Sequence, residues 1–174
     1  MLLDEGMDTG PILAQEETLI TPNENAETLT ERLFHMGARL LIETLPLWTK
    51  GEIIPRPQDN AKTTMSRLLT KEDGFIDWTK SAVALWREVR AYYPWPGSST
   101  FWRGKRLKIL EASASDEPTV AEPGAVVTLA KGGLGVATSN GVLALIHLQL
   151  EGRNPLRAKD FLRGNPSLIG SRLG

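Results

Sequence analysis

From Gly97 onward the chain is cut at short intervals by residues that tolerate positive φ, and nothing else in it restricts the fold as much. Arg103-Gly104-Lys105, Lys131-Gly132-Gly133 and Ser139-Asn140-Gly141 separate apolar runs too short for helices. The last two are hairpin signals, because Gly and Asn accept the backbone geometry that tight β-turns need. The spacing predicts strands at about 99–103, 105–113, 124–130, 133–138 and 141–150. Strands this short and this closely spaced suit a small closed or partly open β-barrel. Asp160-Phe161-Leu162-Arg163-Gly164 then predicts a short terminal helix.

Upstream the apolar period changes from two to 3.6. Leu29, Leu33, Met36, Leu40, Leu41 and Leu45 recur at helical spacing and predict one amphipathic helix over about 25–48. Asn23 or Asn25 caps it, and Glu24 and Glu27 suit the positive end of its dipole. A single apolar stripe of this kind needs a sheet or other helices to cover it, and left bare it invites association. Before it, Gly6, Gly10 and Pro11 predict a loop over 4–11 followed by a strand at about 12–19. Pro55 and Pro57 flank Arg56 in a stretch without apolar periodicity, read as an extended linker. A second helix is expected at about 79–92, capped by Thr79, with Ala82, Leu85, Trp86, Val89 and Tyr93 inward. Pro94-Trp95-Pro96-Gly97 stops it, since proline has no N–H to donate. The expected class is α+β: residues 1–50, a linker at 51–66, and a second domain at 67–174.

The chain has no cysteine, which excludes disulfides and thiolate chemistry, and two histidines without metal-ligand spacing, so no metal is expected. No apolar run reaches the roughly 18–20 residues that span a bilayer. The start, Met1-Leu2-Leu3-Asp4-Glu5, lacks the basic and apolar regions of a signal peptide, which gives a cytoplasmic expectation. The formal net charge of −1 hides an asymmetry. Residues 1–60 hold four basic against eleven acidic side chains, and residues 61–174 hold sixteen against ten. A basic second module attracts polyanions such as RNA.

Chemistry concentrates in Asp4-Glu5-Gly6-Met7-Asp8-Thr9-Gly10-Pro11-Ile12-Leu13. Two glycines there allow close backbone approach to a flat ligand, and Asp8 stands between them at the edge of the expected strand. This decapeptide resembles the loop of folate-dependent formyltransferases, Asp-x-Gly-Leu-Asp-Thr-Gly, with Met7 for the leucine. The likeness continues through Thr70-Lys71-Glu72-Asp73-Gly74-Phe75-Ile76-Asp77-Trp78 and Arg90-Ala91-Tyr92-Tyr93-Pro94-Trp95-Pro96-Gly97, and reaches Pro123-Gly124 and Gly141-Val142-Leu143. In that order the segments resemble the methionyl-tRNA formyltransferase family over essentially the whole chain.

The resemblance implies formyl transfer from 10-formyltetrahydrofolate, a co-substrate, to the methionine amino group of initiator methionyl-tRNA. It implies an open α/β domain for the chemistry, of which a strand and a helix remain here, and a barrel resembling the OB-fold that grips tRNA. Asp8 matches the family's catalytic aspartate, and Asp4 and Gly6, with Asp8, match the loop lining the folate's pterin pocket. The family's Asn and His that precede this aspartate have no counterpart here, so formyl transfer by these residues alone is expected to be negligible. His35 and His147 are read as structural or surface groups, not replacements. Expected phosphate contacts are Arg67, Lys71, Arg87, Arg90, Lys105, Arg106 and Lys108. Leu68 stands where the family typically has lysine, which puts weight on Lys71. Of the five tryptophans, Trp78, Trp86 and Trp95 are expected in the core, with Trp102 the exception available for base stacking. Two alternatives stay open: a formyltransferase acting on a nucleotide-sugar amine, and an RNA-binding module without catalysis.

Overall fold

Asn25 starts the long helix α1, Ala26–Thr49, through a reciprocal capping box. Its Oδ1 accepts the Thr28 backbone N–H at 3.0 Å, while Thr28 Oγ1 accepts the Asn25 N–H at 3.1 Å. Pro46 falls in the last turn, where it has no N–H to donate to the Ile42 carbonyl, and the helix ends at Thr49. The computed structural model describes residues 1–130 and 132–174, which form two compact units, Met1–Leu68 and Leu69–Gly174. The first unit consists of α1, the loops on either side of it and a 3-10 turn at Asn60–Lys62. The stripe on α1 is only partly covered: Leu29, Met36 and Leu40 are half-buried, while Leu33, Leu41 and Leu45 are exposed.

The strand expected at about 12–19 is absent. Ile12 and Arg56 exchange two backbone hydrogen bonds of 2.9 Å, and the bridge ends there. Residues 14–20 are assigned no strand, because a strand exists only as a partner to another. Arg56 supplies its one bridge from the segment expected to be a linker.

The second unit begins with a 3-10 turn, Glu72–Gly74, and helix α2, Ala82–Ala91. Ser81 caps α2, accepting from the Ala84 N–H at 3.3 Å. Thr79, the expected cap, instead donates its hydroxyl to Asp77 Oδ1 at 2.6 Å in an Asx turn, so the helix starts later. Six antiparallel strands follow: β1 Ser98–Trp102, β2 Lys105–Ser115, β3 Val126–Thr128, β4 Leu134–Ala137, β5 Val142–Leu150 and β6 Leu156–Arg157. Helix α3, Ala158–Gly164, and a 3-10 turn at Pro166–Leu168 close the chain. The turn signal at 131–133 opens on Lys131, which lies outside the described residues.

The strands form one curled sheet, half of a barrel, in the order β1-β2-β5-β4-β3 with β6 on β5. Register shifts in the β2–β5 ladder around Glu111 bend it, as an extra residue on one strand does. Leu107, Ile109, Leu134, Val136, Leu143 and Leu148 fill the concave side, with Leu85 and Val89 of α2 and Phe161 of α3 in the same cluster. Trp78 belongs to this core and Trp86 packs against it half-buried, as expected. The other two indoles reverse the expectation: Trp102 is 6% exposed and Trp95 is 54% exposed. Strand parity decides this, since Thr100 and Trp102 point inward on β1 and Trp95 precedes the strand altogether.

Candidate functional site

In the first unit the chemistry-bearing residues lie on a loop that is closed on itself. The Leu2 N–H donates to the Pro11 carbonyl at 2.9 Å. Asp4 Oδ1 accepts from the Gly6 N–H at 3.1 Å and from Thr9 Oγ1 at 2.6 Å, so this carboxylate shapes the loop. A Cβ on Gly6 would overlap the Thr9 side chain, and one on Gly10 would overlap the Leu2 carbonyl. The two glycines are therefore needed by the loop's own packing. Gln58, from the expected linker, donates Nε2 to the carbonyls of Asp8 and Gly10, both at 2.8 Å. Sequence reading passed over Gln58, because nothing in a Pro-rich stretch marks a clamp on a loop 48–50 residues earlier.

Asp8 stands at the tip of this loop with φ +55° and is exposed. Among the described residues nothing holds its carboxylate, so the group is free to accept a hydrogen bond or a proton. A carboxylate can take the proton an attacking amine must lose, or orient an imidazole, but it has no donor for a tetrahedral oxyanion. His35 is exposed on α1. His147, on β5, meets Glu111 of β2 through Nδ1 at 2.5 Å. Among the described residues no cluster of three His, Cys, Asp or Glu side chains is placed to hold a metal.

In the second unit the hairpin between β1 and β2 sets the geometry. Arg103 and Gly104 are its two turn residues, at φ +52° and +72°, the conformation that keeps strand twist in two-residue loops. The resulting register pairs Phe101 with Arg106 and Ser99 with Lys108 on the convex face. Lys71, Arg106 and Lys108 line one depression of about 330 Å³, together with Phe75 and Trp95. Arg106 and Lys108 also line a neighbouring one of about 520 Å³, with Phe101 and Glu151. Lys105 lies apart, in a cavity of about 560 Å³ with Arg103, Arg153 and Trp102. The buried Trp102 Nε1 has no hydrogen-bond partner there among the described residues. Arg103 opens the basic turn Arg103-Gly104-Lys105-Arg106 that the sequence marks as a binding position, whereas Arg153 carries no such signal.

The remaining expected cations are not among the residues lining these three depressions. Arg90 lies over the Trp86 ring at 4.6 Å, and Arg87 is exposed on α2. Arg67 belongs to the first unit, where its Nη1 donates to the Leu68 carbonyl at 3.0 Å.

Residues 68–166 match the family model "Formyl transferase, C-terminal domain", and residues 1–45 match the model "Formyl transferase". The chain belongs to the formyltransferase family. Methionyl-tRNA formyltransferases of Roseiflexus sp. (strain RS-1) and Geotalea uraniireducens (strain Rf4) are 47% and 43% identical to it. Both alignments run over 175 residues and cover 100% of this chain, against 54% and 55% of the relatives. This formyltransferase chain thus spans about half the length of the curated relatives it matches. Among solved structures, HypX from Aquifex aeolicus in complex with tetrahydrofolic acid superposes with a TM-score of 0.63 at 20% identity, covering 91% of this chain and 28% of HypX. That likeness establishes a shared fold for the formyltransferase chain. Among its described residues no helix is long and apolar enough to cross a membrane.

Proposed function

We propose that this chain is part of a methionyl-tRNA formyltransferase, acting in the cytoplasm in translation initiation. On this reading the whole enzyme moves a formyl group from 10-formyltetrahydrofolate to the amino group of initiator methionyl-tRNA. The observation that carries it is 47% identity along the full chain to a curated protein of that name. The first unit is then the remnant of the folate-binding domain, and the second an OB-like barrel whose convex cations meet the tRNA backbone. The excess of basic over acidic residues after residue 60 favours this over a nucleotide-sugar substrate, which needs no RNA grip.

The loop suits the donor edge of a pterin, whose amino and ring N–H groups need carboxylate or carbonyl partners. Asp8 has a free carboxylate to offer, while Asp4 and Gly6 fix the backbone that presents it. Bound there, the folate would supply the activated formyl carbon. Asp8 would take up the proton released when the amine attacks, directly or through water. No Asn or His precedes Asp8 in the sequence given, and His147 already faces Glu111. These 174 residues alone are therefore proposed to give negligible formyl transfer.

Gel retardation with initiator methionyl-tRNA across a salt series tests the RNA side. Affinity should fall steeply as salt rises, and Lys108→Ala should lower the slope of log K against log salt by about one. Binding that ignores salt, or none at low salt, would overturn the tRNA reading. Formyl transfer by the purified chain above a boiled control would overturn the proposed inactivity.

A further inference from the structure

Phe75 and Phe101 are 40% and 37% exposed, although the concave side of the same sheet buries nearly all of its large apolar residues. Their rings are stacked, with centroids 5.7 Å apart and planes 19° from parallel. The Arg106 guanidinium lies 5.4 Å from the Phe75 centroid. Two independent devices hold this arrangement. The two-residue turn at Arg103-Gly104 fixes Phe101 opposite Arg106. A parallel bridge to Ser99, with the Ile76 N–H donating to its carbonyl at 2.9 Å, fixes Phe75 beside β1. Trp95, exposed, shares the adjoining depression with Lys71 and Lys108.

We infer that Phe75, Phe101 and Arg106 form a stacking platform for an unpaired nucleobase of an RNA ligand, with Lys108 and Lys71 taking the phosphates beside it. The inference rests on the tRNA reading only in that the ligand is RNA. Exposed aromatic faces with interleaved cations are the pattern by which single strands are held without sequence preference, since every base has a π-face. Two acids border the platform. Glu72 lines the depression, and Glu151 accepts from the Arg106 backbone N–H at 3.0 Å. Against these stand three exposed cations, which leaves a net positive rim. Phosphate contacts alone would need the lysines and arginine but would have no use for two phenyl rings left partly exposed.

The test is anisotropy of a labelled six-nucleotide uridine strand and of an abasic strand with the same phosphates, bound to the 174-residue chain. The base-bearing strand should bind about tenfold tighter. Phe101→Leu, which keeps the apolar bulk, should erase that difference while leaving the salt slope unchanged. Phe101→Tyr should restore it. Phe75→Leu gives a second reading if the Phe101 variants melt early.

Equal affinity for the two strands overturns the platform, even where initiator tRNA still binds. So does a concentration-dependent dimer abolished by Phe101→Leu without any base preference, which would assign the patch to protein contact. A base preference that Phe101→Leu removes, in a chain that fails to retard tRNA, keeps the platform and sinks the tRNA reading.

Discussion

The two units are held together by different forces. In the first, the described residues that are buried are Gly10 and Thr44, and neither carries a large apolar side chain. Its order comes from polar ties near water: Arg32 to Glu24, Thr18 and the Leu19 carbonyl, Arg39 to Glu16, and Gln58 to the Asp8 loop. Such pairs add little each, because water competes for both partners. The second unit buries a continuous apolar cluster reaching from Trp78 to Leu173. A shape defined by surface bonds and one defined by burial differ most in how they respond to loss of a methyl group.

That contrast yields its largest effect in the core. Leu148→Ala, at a fully buried site, should cost about 2–5 kcal/mol in denaturant unfolding. Leu41→Ala, on a 60% exposed position of α1, should change stability by less than about 0.5 kcal/mol. Equal costs would mean that α1 is buried in solution. Next in size is Gly104→Ala. Nothing lies within 4 Å of a Cβ there, so the whole effect is the strain of φ +72°, about 1 kcal/mol, read as a lower Tm. Gln58→Ala should be smaller in global stability but visible locally. Losing both clamps on the loop should speed hydrogen exchange at Leu2, whose N–H closes it onto Pro11. Unchanged exchange there would show that the loop holds its shape without Gln58.

Legibility in the sequence follows the same division. The three helices and the strands from β1 to β5 stand within a few residues of where turn chemistry and periodicity put them, because caps and glycine turns act locally. The strand expected at 12–19 was misread because a ladder depends on a partner, and only Arg56 supplies one. Trp95 and Trp102 exchanged places because burial on β1 depends on parity, which the two-residue turn sets only once its length is known. Phe75 was legible only as part of the Thr70–Trp78 family stretch, not as a surface ring. Its place beside β1 arises from a bridge to Ser99 across intervening helix, a relation that no local pattern encodes. The loop around Asp8 was visible as a motif, but the room its glycines leave for the Thr9 side chain and the Leu2 carbonyl was not.

The smallest effect tests whether polar ties organise the first unit at all. Arg32 donates through Nε to Glu24 Oε1 at 2.5 Å and through Nη2 to Oε2 at 2.9 Å, and the Thr21 N–H adds a bond of 2.8 Å. The Arg32 bond, then the Thr21 N–H, lowers the Glu24 pKa from 4.5 to about 2. A carboxyl depressed in the folded state stabilises it fully above the unfolded value and loses that contribution as pH falls through the folded one. The helical signal of the first unit should therefore weaken between about pH 4.5 and pH 2. Glu24→Gln should start from the weaker state and flatten that part of the profile, measured by circular dichroism against pH. High salt should shrink the wild-type response, since both partners are reached by solvent. A profile identical in the two proteins would mean that α1 stands on its capping box alone, and that the charged ties around it follow the fold without supporting it.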